Sequence, residues 1–91
     1  MLAVLAAPLA RADPVRGGQR ARQWCANCHV IDSKPAGAVP QGPPSFATIS
    51  HSGTTADQLR AFLSHPHGAM PDLALTRAEI HDLVGYIETL R

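Results

Sequence analysis

Five consecutive residues, Cys25-Ala26-Asn27-Cys28-His29, constrain this chain more than any other feature. Positions three and four apart on a helical turn share a face. Cys25 and Cys28 therefore present two thiols on one side, and the imidazole of His29 follows at once. Two cysteines at this spacing with an adjoining histidine form the attachment pattern for a c-type haem. The two thiols reach two vinyl groups along one porphyrin edge, and the imidazole rises toward the iron. Other chemistries use the same pair of cysteines. A thioredoxin-like redox pair belongs to an alternating strand–helix fold, and no strand pattern is present here. A zinc site needs two further ligands, for which His65 and His67 are candidates.

The 91 residues suffice for one domain. Residues 1–12 read as a signal peptide, and residues 13–91 as the domain. Met1 to Ala10 is almost wholly Leu, Ala, Val and Pro, and Ala10-Arg11-Ala12 is a small-x-small cleavage pattern ahead of Asp13. The usual basic n-region is missing, and the apolar run is too short to span a membrane as a helix. Export to the periplasm suits the motif, because haem attachment of this type belongs outside the cytoplasm. Loss of Arg11 leaves seven basic against seven acidic residues. That balance makes no case for nucleic acid or for an anionic membrane as partner. Arg16, Arg20 and Arg22 precede the motif, while Asp72, Glu79, Asp82 and Glu88 gather near the C-terminus. They read as solvated helix faces.

Only four aromatic residues are present: Trp24, Phe46, Phe62 and Tyr86. A domain of this size gains about 3–5 kcal/mol from its core and usually needs a staple. Both cysteines sit in one motif, so no long-range disulfide is available. A covalent haem would complete the apolar core, and the apo-chain is expected to be largely unfolded.

Along the chain, Asp13-Pro14 predicts a helix start, with Asp as cap and Pro in the first turn. The helix runs through Arg22 toward the motif. Gly17 and Gly18 weaken it by about 1 kcal/mol each. They suggest a close helix–helix contact, although a ragged start is the cheaper explanation. Gly17, Ala21 and Cys25 form one small-residue stripe. Val30 to Ser50 reads as a loop, rich in Pro and Gly. Thr55 and Gln58 fit a capping box opening a short helix with Leu59, Phe62 and Leu63 on its apolar face, ending before Pro66. His65 to Leu75 is a second loop. Thr76-Arg77-Ala78-Glu79 is another capping box, and Ile80, Leu83, Val84, Ile87 and Leu90 follow at helical spacing. Gly85 in that helix admits a close backbone approach.

Taken in order, these pieces resemble the small class I c-type cytochromes of the exported bacterial type, over essentially the whole of residues 13–91. The resemblance implies an all-α cytochrome c fold, with crossing N- and C-terminal helices, a short central helix and loops wrapped around one covalent haem c. It implies axial ligation by His29 and, from the Met70-Pro71 loop, by Met70. Gly42-Pro43-Pro44-Ser45-Phe46 looks like the family's loop, in which a proline carbonyl receives a hydrogen bond from the ligand histidine. The doubled proline allows two registers. Pro44 is favoured, because it puts Phe46 at the family's apolar haem-packing position. Gly17, Ala21, Leu83 and Tyr86 are similar to the helix crossing. One departure is Ala21, where the family usually has an aromatic, and Trp24 is the candidate to compensate.

Met70 has rivals as a ligand in His65 and His67, and as a plain core residue. A thioether donor raises the reduction potential. With both axial positions filled by protein, no position is left for a substrate. The expected function is therefore periplasmic one-electron transfer between redox proteins, by a carrier and not an enzyme. The alternatives are a dedicated haem subunit of a periplasmic dehydrogenase, and a sensor whose sixth ligand opens to a gas.

Overall fold

Among the described residues, three helices start where side-chain caps foretell them, and a fourth is added. The structure, a computed structural model, describes residues 12–33, 43–66, 68 and 70–91. The helices are α1 (Pro14–Trp24), α2 (Phe46–His51), α3 (Ala56–Ser64) and α4 (Arg77–Glu88), and no strand occurs among the described residues. The all-α class read from the sequence is therefore correct. The proposed signal segment, save Ala12, lies outside the described residues. So do residues 34–42, with Lys34 and Gly42, and also His67.

Asp13 caps α1 by accepting the N–H groups of Val15 and Arg16 at 3.0 and 3.1 Å. Pro14 fits the first turn, where an amide N–H would have no helical partner. The two capping boxes close as expected. Thr55 and Gln58 exchange bonds of 2.9 and 3.1 Å, and Thr76 and Glu79 exchange bonds of 2.8 and 3.1 Å.

The addition is α2, within the stretch read as a loop throughout. Ser45 Oγ accepts the Thr48 N–H at 3.1 Å and starts the helix. Six residues are too few to show a helical period in sequence, and the prolines before them dominate the composition. The Phe46 N–H also donates to the Val30 carbonyl at 2.9 Å, pinning the start of α2 to the chain just after the cysteine motif.

The core forms where α1 crosses α4. Gly17, Gly18 and Ala21 are buried on α1; Ile80, Leu83, Val84 and Ile87 are buried on α4. A Cβ on Gly17 would lie 1.9 Å from the carbonyl oxygen of Asp82, and one on Gly18 would lie 3.1 Å from the Tyr86 ring. These glycines mark close packing, so the ragged-start explanation is replaced. Gly85 plays the same part for the chain ahead of α1, since its Cβ would lie 2.8 Å from that of Ala12. Leu59 and Leu63 of α3 join the same cluster.

Asp82 corrects the reading of the acidic residues. It is only 5% exposed and accepts the Asp13 N–H at 2.9 Å, so it belongs to the helix crossing and not to a solvated face. Glu79 lies 3.7 Å from Arg20 across the same two helices.

Candidate cofactor site

The motif continues from the end of α1 as a tight turn. The Cys25 N–H donates to Ala21 at 2.8 Å, and the Cys28 and His29 N–H groups both donate to the Cys25 carbonyl, at 3.0 and 2.8 Å. Cys25 faces the core at 7% exposure, whereas Cys28 is exposed, and both are free thiols. Burial pushes the Cys25 thiol above its ordinary pKa, and the neighbouring Cys28 adds to the effect.

His29 is oriented from the other side of the site. Its Nδ1 lies 2.6 Å from the carbonyl oxygen of Pro44. A carbonyl only accepts, so Nδ1 carries the proton, and in the neutral ring Nε2 is the nitrogen with a lone pair to offer a metal. Of the two adjacent prolines, Pro44 makes this contact. Phe46 is buried at 5% exposure, with its ring centroid 5.4 Å from that of His29 and tilted by 49°. Tyr86 stands behind Phe46 at 6.4 Å.

Two long-range bonds hold the segment after the motif. The Val30 carbonyl accepts from Phe46, and the Ile31 carbonyl accepts from the Tyr86 hydroxyl at 2.8 Å. Neither bond was read from the sequence. Tyr86 was recognised for the helix crossing alone, and its partner is 55 residues away.

Met70 is half-buried and packs against the core cluster that includes Cys25, Phe46, Leu59 and Leu63. His65 is exposed at the end of α3, and His51 is occupied by the Leu90 carbonyl, 3.0 Å from its Nε2. His81 is half-buried and lines a groove of about 350 Å³ between α3 and α4, with Arg60, Ser64 and Arg77. Trp24 packs against the core beside Cys25, with the Arg20 guanidinium 5.1 Å from its ring centroid. Ala21, with no exposed surface, is covered without an aromatic at its own position.

This donor set fits a covalent haem. Two free thiols lie on one turn, an imidazole is held through Nδ1, and a thioether and an aromatic ring pack against the same apolar cluster. Among the described residues, no group of three or more His, Cys, Asp or Glu side chains could hold a metal ion.

Comparison with known proteins points to one family. Residues 12–87 match the family described as cytochrome c oxidase, cbb3-type, subunit III. A curated relative, cytochrome c-552 of Bradyrhizobium diazoefficiens, is 38% identical over 81 residues, covering 88% of this chain and 77% of the relative. No solved structure matches the chain.

Proposed function

The chain belongs to the small c-type cytochromes, and from that premise we propose that it is a periplasmic one-electron carrier with His29 and Met70 as axial ligands. Haem c is the cofactor of the family, and Cys25 and Cys28 are the thiols assigned to its covalent attachment. When bound, haem supplies a reversible one-electron couple. The observation that carries the reading is the His29–Pro44 hydrogen bond at 2.6 Å. Such a contact fixes a ligand ring and raises its basicity.

The chain's own residues then have three tasks. His29 and Met70 would hold the iron between them, leaving it no position for a substrate. Phe46, Leu59 and Leu63 keep water from the site. Cys28 is exposed, so a haem attached there would be within reach of a redox partner on that flank. Contacts of that kind are small and transient. The leader ends at Ala12, and the domain of residues 13–91 acts in the periplasm. No helix among the described residues is long and apolar enough to cross a membrane.

A second reading, a haem subunit of a lasting complex, draws on the matched family's description as an oxidase subunit. Co-purification with a larger partner would select it over a free carrier. Two measurements test the main reading. In Met70→Ala, the weak long-wavelength sulfur–iron band of the oxidised holoprotein should vanish, and its retention would refute Met70 as ligand. Carbon monoxide added to the reduced protein at neutral pH should leave the spectrum unchanged. A rapid change would favour a gas-binding sensor.

A further inference from the structure

We propose that Asp82 is the docking site for the N-terminal ammonium created when the leader is removed after Ala12. The inference rests on the processing reading above and goes beyond it, because it assigns the new terminus a partner. Asp82 and Ser50 are the buried polar or charged side chains among the described residues. Ser50 is satisfied locally, donating to Ala47 at 2.9 Å. A buried carboxylate is costly unless it is paired. The cations near carboxylates are engaged elsewhere: Arg16 with Asp13, Arg20 with Glu79, Arg60 with Asp57 and Arg91 with Glu88. Among the described residues, no ion pair includes Asp82. What Asp82 Oδ1 does receive, at 2.9 Å, is the main-chain nitrogen of Asp13.

In the unprocessed chain that nitrogen is a neutral amide. Hydrolysis of the Ala12–Asp13 peptide bond consumes one water, leaves a carboxylate on Ala12 and an amine on Asp13, and the amine takes up a proton near neutral pH. The same atom, at the same place, then carries a positive charge. A hydrogen bond between charged partners is roughly twice as strong as a neutral one. A cation at the start of α1 opposes the helix dipole, so a terminus placed here needs a carboxylate close by. The Asp13 side chain is already turned to Val15 and Arg16 as the helix cap. Asp82 is the acid that remains. Gly85 faces Ala12 with no side chain of its own, and a Cβ there would lie 2.8 Å from that of Ala12.

The test uses exported, haem-loaded protein. N-terminal sequencing should find Asp13 first, and a different first residue would overturn the processing reading itself. Acylation of the α-amine by a limiting amine-reactive reagent near neutral pH should then be compared with Asp82→Asn, by peptide mass. An opposite charge at this range shifts a titration by one unit or more, so the α-amine of the variant should react about tenfold faster. Equal rates, with Asp13 first in both, would overturn the ion pair while leaving the processing reading intact. A second protein keeps Asp82 but carries one extra alanine ahead of Asp13, which restores the amide. Its unfolding midpoint should fall below that of the processed protein, and an unchanged midpoint would count against the proposal.

Discussion

At Gly17 a single methyl would sit 1.9 Å from the Asp82 carbonyl oxygen, and both atoms belong to helical backbone that cannot yield locally. Gly17→Ala should therefore force α1 and α4 apart. Overpacking of this kind costs about 1–3 kcal/mol, read as a lower unfolding midpoint of the holoprotein. Gly18→Ala should be milder, because the atoms it meets at 3.1 Å belong to the Tyr86 ring, which can tilt. Tyr86→Phe removes the hydroxyl that holds the Ile31 carbonyl and should cost about 1 kcal/mol, measured by denaturant unfolding. Residues whose work is local were legible in sequence, among them the cysteine pair and the Asp13 cap. Asp82 was misread because its partner lies 69 residues away, and nothing near it in sequence marks it as buried.

Among the elements, α3 and α4 were legible because each opens on a capping box and carries an apolar face. The helix α2 was not, because its one local signal is the Ser45 cap after a run of prolines. Thr76→Ala should cost about 1 kcal/mol of stability through loss of the α4 cap, again read from unfolding. The same box makes a pH prediction. The Thr76 backbone N–H, helped by its hydroxyl and by Arg20, holds the Glu79 carboxyl below its ordinary pKa. Stability from a lowered carboxyl is present above the ordinary range and is lost as pH falls through the lowered value. The midpoints of wild type and Glu79→Gln should therefore differ at neutral pH and converge in acid.

For the whole molecule, the shortage of aromatic residues sets the terms. Phe46, Tyr86, Trp24 and Phe62 are all at or against the core, and the two cysteines are free thiols on one turn. Beyond the bonds of Val30 to Phe46 and of Ile31 to Tyr86, a covalent cofactor would add a tie between the loops and the helix crossing. A Cys25→Ser, Cys28→Ser double variant, which attaches no haem, should lose most of its far-ultraviolet helical signal. Native-like helicity in that variant would show that the protein core suffices. The pairing of α1 with α4 was suggested in sequence by glycines and one tyrosine, but its closeness became visible only once Gly17 met the Asp82 backbone.

That pairing also sets a timetable. The helix α1 packs against α4, so a chain delivered N-terminus first cannot close this pairing until Arg77–Glu88 arrives. Throughout that interval Cys25, deeply covered in the finished fold, stands open beside Cys28. Both sulfurs are open while the two helices are unpaired, and the pairing of α1 with α4 is what covers Cys25.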